Sequence, residues 1–532
     1  MKKEGSTDSE ERKASKPPVG VYIRESTGLV KNVSFLDAVA INVSYMSVGS
    51  ALALIGFTML ALPTVNGVNL VAGSAIAAAL SIPQMVVYTM MQRRISRTGG
   101  DYVWLSRSLG GFLGSTLTFM GITLETMPYL ALIALSAVFA IGSVGSFLGY
   151  SAVSSLAVPG EAPSLQFLLG SAIVAALIGV NILRPRIGYR IISIFWIIGI
   201  LAIATSVLSI AFAGRQGISN YIDSLKISGT TYESISDSYK GSSDFDLGAT
   251  LLVLPFFALF SYPWFNAAPS VGSELRGQRA IRWNVPISLL IAFLILTIPF
   301  ATMYLVGGFA FTNAALSNSN LVNNYSFNFW TLAMGVSSGN FLLELFIGVG
   351  WIVLTLAVLA FGIITISRYL LAQAFDRFLP EKIAYVSPKY GSPVLAHILD
   401  LVVTIALIGL ASFLYGTISS LYGAVAASMI YFAFVGVGAV VFAIRHGSEF
   451  GGRKGIGGRI VLALAGSLQT LIFAFLAFEF FAYPKVWGGN SLAYGYIVAT
   501  FIVGVIVYFV SKSIHAKRGI DISIAFKEIP PE

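Results

Sequence analysis

The sequence predicts an all-α polytopic membrane protein of about twelve transmembrane helices, built as a 5+5 inverted repeat with discontinuous helices 1 and 6. Three observations predict it. Hydrophobic residues make up 56% of the 532 and charged residues only 11%, too little charge to cover a soluble domain of this size. Apolar runs long enough to cross a bilayer recur along the whole chain. Two of them, five runs apart, are interrupted by small or polar residues near their centres.

In chain order, residues 1–33 are polar and of mixed charge, and a cytoplasmic tail disordered up to the interface is expected there. No short apolar stretch with a small-residue cleavage site marks a removable signal. Apolar runs follow at about 35–62, 67–91, 110–140, 165–183, 191–213, 248–273, 286–311, 341–367, 394–414, 420–444, 460–483 and 491–511. With the N-terminus placed in the cytoplasm and the chain alternating, all but four of the 33 Lys and Arg fall on the inner side. The four outside are Arg215, Lys226, Lys240 and Lys485. Basic inner loops are the orientation signal, so both termini are expected inside a cell membrane. The basic balance is then topological, and nucleic acid is not an expected partner. The expected divisions are the tail 1–33, a core 34–445 with halves at about 35–213 and 248–445, two appended helices in 446–511, and a cytoplasmic tail 512–532.

The first run reads Ile41-Asn-Val-Ser-Tyr-Met-Ser-Val-Gly-Ser50, with Asn42, Ser44, Ser47, Gly49 and Ser50 where Leu or Ile would be cheapest. The sixth carries Phe260-Ser-Tyr-Pro-Trp-Phe-Asn266, and Pro263 cannot donate a backbone hydrogen bond. Either interruption alone reads equally as an ordinary kink. As a pair in opposite orientations they mark a transporter's binding site. Half-helix N-termini suit a carboxylate, and exposed carbonyls suit an ammonium or a metal cation, so the expected ligand is a small molecule, an amino acid or amine.

Ionisable residues at membrane depth usually face the bundle interior. Glu125, in Ile122-Thr-Leu-Glu-Thr-Met-Pro-Tyr129, is the deepest. It reads as a proton-coupling residue or as a structural hydrogen bond to a neighbouring helix. Asp37, Glu344 and Glu479 lie nearer run ends and read as interfacial or structural, with Asp400 intermediate. Cysteine is absent and the three histidines lie at or outside run ends. No nucleophile–base pair or metal cluster is therefore expected at membrane depth, and no enzyme. No Gly-x-x-x-x-Gly-Lys-Ser/Thr motif for nucleotide occurs. No cofactor is expected beyond a coupling ion, H+ or Na+. The outer loops 214–247 and 312–340 read as lids or disordered segments.

Three landmarks resemble the amino acid–polyamine–organocation (APC) superfamily of permeases, with its LeuT-type fold. They are Arg97-Thr-Gly-Gly-Asp-Tyr-Val-Trp104 before Gly110-Gly111; Phe257-Ala-Leu-Phe-Ser261 through Glu274, Gly277 and Pro286; and Ser367-Arg368-Tyr369, Asp376, Leu379-Pro380 with Ser387-Pro-Lys-Tyr-Gly-Ser-Pro393. The chain departs from that family at Ser47-Val-Gly-Ser-Ala51 and at Tyr262-Pro263. By helix position the resemblance implies that Ser47, Val48, Gly49 and Ser50 take a substrate carboxylate through their amides. It implies that Phe260, Ser261 and Tyr262 take an ammonium through their carbonyls. Trp264 and Tyr262 are candidates for an aromatic gate, or for plain packing, and Thr355 is a positional candidate for sodium. The implied activity is secondary active transport of amino acids or related organic amines across the lipid bilayer. The alternatives are an exchanger, or a transporter-like sensor or channel. Oligomeric state is left open. Gly49→Leu is expected to block substrate binding in a folded protein.

Overall fold

A computed structural model describes residues 29–241, 243–414, 420–445 and 456–529, with the side chains of 420–422 excepted. Most of the N-terminal tail and the basic loop with Arg453 and Lys454 lie outside the described residues. Among the described residues there is no β-strand, only the isolated bridges Val33–Leu275 and Thr98–Val271.

Among the described residues, eleven helices are long and apolar enough to cross a membrane: Phe35–Ala61, Leu70–Gln92, Gly111–Phe147, Pro163–Leu183, Pro185–Ser224, Gly277–Gly307, Phe341–Phe375, Val394–Phe413, Gly423–Arg445, Ile456–Ala482 and Ser491–Ala516. The shorter apolar stretch Leu247–Phe260 fills the sixth place. With it each of the twelve expected segments has a counterpart; the first and the sixth are broken, and the second is also divided, at Ser81, into Leu70–Leu80 and Ile82–Gln92. Several helices outrun their apolar runs, the eighth reaching Phe375 and the twelfth Ala516. The third continues to Phe147, the fifth to Ser224 past a kink at Gly214, and the seventh begins at Gly277. Hydropathy marks the bilayer core, whereas backbone hydrogen bonding carries a helix on into water.

The first and eighth spans form the centre. In their most apolar stretches 89% and 83% of the residues are buried, against 28% for the fourth, fifth and twelfth, which leaves those for lipid. The fifth and third spans pack along the eighth, and the first half of the first span packs on the seventh. Close approach depends on small residues. Leu354 of the eighth span wedges between two glycines: a Cβ on Gly49 would stand 2.6 Å from its Cβ, and one on Gly199 2.2 Å from its Cγ.

The described parts of the loops 214–247 and 312–340 are folded. The 214–247 stretch carries helix Tyr232–Asp237, and helices Phe309–Leu316, Ser319–Tyr325 and Phe329–Val336 lie before the eighth span. They close one end of the bundle. Asp246 N–H donates to Gly67 O (2.8 Å), Gly67 N–H to the Tyr239 hydroxyl (2.8 Å), and Asn313 Nδ2 to Val68 O (2.8 Å). The opposite end carries Arg93, Arg97, Arg107, Arg276 and Arg368 and is here called the basic end. It is closed by Val33 N–H to Glu274 O (2.9 Å), Arg276 N–H to Val33 O (2.8 Å) and Gly99 N–H to Ser270 O (2.8 Å).

Candidate functional site

The first break is two residues wide, Met46 and Ser47. Phe35–Tyr45 starts on a capping box between Ser34 and Asp37 and ends at Met46. Ser47 then takes a left-handed conformation (φ 56°) before Val48–Ala61 begins, an uncommon state for a residue with a Cβ. Its side chain makes no capping bond. The amides of Val48, Gly49 and Ser50, the orphan donors of a helix N-terminus, therefore point into the break. Ser44 Oγ and Ser50 Oγ are buried with no partner among the described residues.

The second break is longer. Leu254–Phe260 has Pro255 in its first turn, Ser261 leaves helical geometry (φ −145°, ψ −90°), and a short helix resumes at Ala267–Ser270. Pro263 blocks continuation, and its carbonyl accepts from Gln84 Nε2 (2.8 Å). The Trp264 indole N–H caps the carbonyls of Ala258 and Leu259 (both 3.1 Å). Those of Phe260, Ser261 and Tyr262 accept from no donor among the described residues. Ser261 Oγ is fully buried and unpartnered.

Side chains join the breaks. Trp264 meets Tyr45 edge-on (centroids 5.6 Å), stacks on Tyr129 (6.2 Å, 12°) and meets Phe432 edge-on (5.7 Å). The Tyr129 hydroxyl donates to Ser47 Oγ at 3.4 Å. Asn42 Oδ1 accepts from Ala268 N–H (2.8 Å), tying the first span to the far side of the second break. The Tyr262 phenol turns away from Trp264 into a hydroxyl cluster with Ser74 (2.5 Å), which also bonds Thr297 (2.7 Å). Thr355 donates to Trp351 O within its own helix (3.1 Å). Gly49 faces Leu354, and its carbonyl accepts from the Trp330 indole (3.0 Å). A leucine there would strike the eighth span, so Gly49→Leu perturbs packing and does not isolate binding.

Glu125 follows a π-helical turn at Phe119–Thr123, a deviation frequent at functional sites. Gly121 lets the tenth span approach: a Cβ there would lie 2.5 Å from the Tyr431 Cβ. Ser428 Oγ consequently reaches both Gly121 O (2.6 Å) and Glu125 Oε2 (2.9 Å). A serine has one proton to donate. Both contacts are complete together only when Glu125 supplies the proton of the second.

Several residues carry no signal within the apolar runs. Asp101, which opens helix Asp101–Leu109, is fully buried. It accepts from the hydroxyls of Tyr88 (2.5 Å) and Tyr369, and Asn266 Nδ2 donates to Tyr369 (3.0 Å). Burial pushes its carboxyl up to about 6, against the phenols' stabilisation of the anion. Glu274 and Arg368 form a buried bidentate pair (2.7 and 3.1 Å), joined by the Tyr189 hydroxyl (2.8 Å). Glu479 is buried at 4% exposure, where its position near a run end suggests water access, and Asp400, read as intermediate, is buried completely. Among the described residues no group of three or more His, Cys, Asp or Glu is placed to hold a metal ion.

A protein-family model described as amino acid permease matches residues 33–508. The chain is also similar to Uncharacterized protein 399 of Sulfolobus islandicus rod-shaped virus 1, at 29% identity over 101 residues, 19% of this chain. That match spans 24% of the viral protein's length.

Proposed function

The chain belongs to the amino acid permease family, and from that premise we propose that it is a secondary active transporter of amino acids or related amines, working by alternating access and driven by a proton gradient. Family membership makes it a multi-pass membrane transporter of such compounds and not an enzyme. The reading of mechanism rests above all on the polar complement of the two breaks. The unpaired amides of Val48, Gly49 and Ser50 offer donors to a carboxylate. The unpaired carbonyls of Phe260, Ser261 and Tyr262 offer acceptors to an ammonium. The buried hydroxyls of Ser50 and Ser261 lack protein partners, a cost that a polar ligand removes. The fastened ends suit an occluded intermediate, with both termini on the basic, cytoplasmic side of the cell membrane. Trp264 is the proposed gate, because it bridges both broken spans and the tenth. Glu125 is the proposed proton carrier, because its bond to Ser428 is complete in the protonated state.

The test is uptake of a labelled mixture of the twenty amino acids into liposomes holding the purified protein, under an inward proton gradient, a sodium gradient or neither. Accumulation under the proton gradient alone, abolished by Glu125→Gln with exchange retained, is the expected result. Accumulation under sodium alone would overturn proton coupling. Exchange without accumulation would make the protein an antiporter.

A further inference from the structure

The second span ends near the basic end in the loop 93–100, and the second half of the broken sixth span lies directly on it. Gly99 N–H donates to Ser270 O (2.8 Å), Ser96 Oγ to Gly272 O (2.8 Å), and the Thr98 and Ser273 hydroxyls bond each other. Gly100 (φ +46°) backs so closely on Pro269 that a Cβ would stand 2.7 Å from its carbonyl carbon. Asp101 is the next residue. The docked segment 267–274 thus helps to seal a carboxylate that has no exposure at all.

What faces that carboxylate is unusual for a buried acid. The titratable groups around it are phenols: Tyr88 from the second span, Tyr369 from the eighth and Tyr431 from the tenth, with Tyr45 of the first farther off. No Lys, Arg or His pairs with it among the described residues. Arg107 on the same short helix is held by Asp376, and Arg368 by Glu274. A buried charge without a counter-charge is costly, so this site favours a proton on Asp101 while it stays dry. The network also has an outlet. Tyr369 accepts from Asn266, which lies in the break of the sixth span, and Asn266 Oδ1 is buried without a partner. A protonated Asp101 can donate to Tyr369, whose own hydroxyl hydrogen then needs an acceptor. A flipped Asn266 amide supplies one.

We propose that Asp101 is a proton-binding site of the transport cycle: it holds a proton while segment 267–274 is docked on loop 96–100, and loses it to water when that segment swings away. The protonation state is passed to the second break through Tyr369 and Asn266. The proposal rests on the transporter reading and adds to it a second carboxylate, at the basic end, distinct from Glu125.

Linkage sets the sign. The closed state holds the carboxyl near 6, and an opened, hydrated site returns it towards about 3.9. Between these values only the closed state keeps the proton, so closure is favoured at low pH and lost as pH rises through about 6. A gap of about two pH units between the closed and open carboxyl corresponds to about a hundredfold change in the closed-to-open ratio.

The experiment is hydrogen exchange by mass spectrometry on the full chain in lipid nanodiscs, from about pH 5 to pH 7.5 around that range, corrected for intrinsic exchange. Peptides covering 96–100 and 267–274 are expected to lose protection as pH rises through about 6. Asp101→Asn removes this dependence and leaves both peptides protected throughout. Tyr369→Phe deletes one donor to the anion and moves the midpoint upward, which keeps the proposal testable if Asp101→Asn does not fold. A wild-type profile flat with pH, or one that Asp101→Asn leaves unchanged, would overturn it. Exchange of the labelled amino-acid mixture is measured on the same preparations. Titrating peptides in a protein that moves no amino acid would support the proton site and retire the transporter reading.

Discussion

Removal of the Glu274 carboxylate is the sharpest test of how the basic end is held shut. Arg368 is 2% exposed and Glu274 3%, so the pair is out of water. Glu274→Ala leaves a buried guanidinium whose remaining bonds are to Ser367 Oγ (3.0 Å) and the Tyr189 hydroxyl (3.4 Å). Truncating one partner of such a pair costs about 3–5 kcal/mol. Because two neutral acceptors remain, the lower end, about 3 kcal/mol, is expected. The closed state bears that cost in full; opening hydrates Arg368 and relieves it. The closed-to-open ratio should then fall by about two orders of magnitude. The chain contains no cysteine, so a single Ser270→Cys probe, buried when closed, reports opening without background. Its thiol-labelling rate should rise by roughly the same factor in the Glu274→Ala protein. The isosteric double change Glu274→Leu with Arg368→Met should return most of the way, because it leaves no unpaired charge. Equal labelling in the parent and Glu274→Ala proteins would refute the clasp. So would a double variant as open as the single.

Two further outcomes follow from contacts at the second break and near the basic end. Ser261→Ala removes a buried hydroxyl that has no protein partner. It should leave thermal stability unchanged or raise it by up to about 1 kcal/mol, while slowing amino-acid exchange about tenfold; a clear loss of stability would mean the hydroxyl is bonded within the fold. Gly111→Ala puts a methyl 2.2 Å from the Phe526 ring. That residue anchors the segment Ile522–Phe526, whose Ala525 carbonyl accepts from Arg107 (3.1 Å). The variant should loosen the backbone around the already exposed Lys527 and speed tryptic cleavage there by losing about 1.5–3 kcal/mol of Phe526 burial, and an unchanged cleavage rate would deny the docking.

The architecture was legible because a membrane fold writes itself as long apolar runs, and the breaks because polar residues are conspicuous inside them. Ser47 and Pro263 could be found from one short window each. Their partners could not. Ser428 reaches Glu125 across 303 positions, and Tyr369 reaches Asp101 across 268, with no periodicity to announce either. The loops 214–247 and 312–340 read as lids or disorder because short helices such as Tyr232–Asp237 leave no hydropathy signature. Gly49 fails as a test position for a related reason. A glycine in an apolar run signals close approach, but only the fold says that the approaching atom belongs to Leu354 rather than to a ligand.

Asp101 shows most clearly what a search for acids at membrane depth overlooks. Such a search looks inside apolar runs, and there it finds Glu125. Asp101 follows Gly99 and Gly100 in a polar loop, yet helix Asp101–Leu109 tucks beneath the bundle and buries it completely. The two carboxylates then stand in different relations to the breaks. Glu125 lies one helical turn before Tyr129, whose hydroxyl reaches Ser47 at the first break. Asp101 accepts from Tyr369, whose hydroxyl is reached by Asn266 at the second. Asp101 is thus joined to the second break through a hydrogen-bonded phenol, whereas Glu125 shares a helix face with the phenol that reaches the first and bonds Ser428 instead. A rigid bundle with one acid could sense a proton at one break only. On the proposed transport reading, a proton on either acid would bias the half-helix nearest to it.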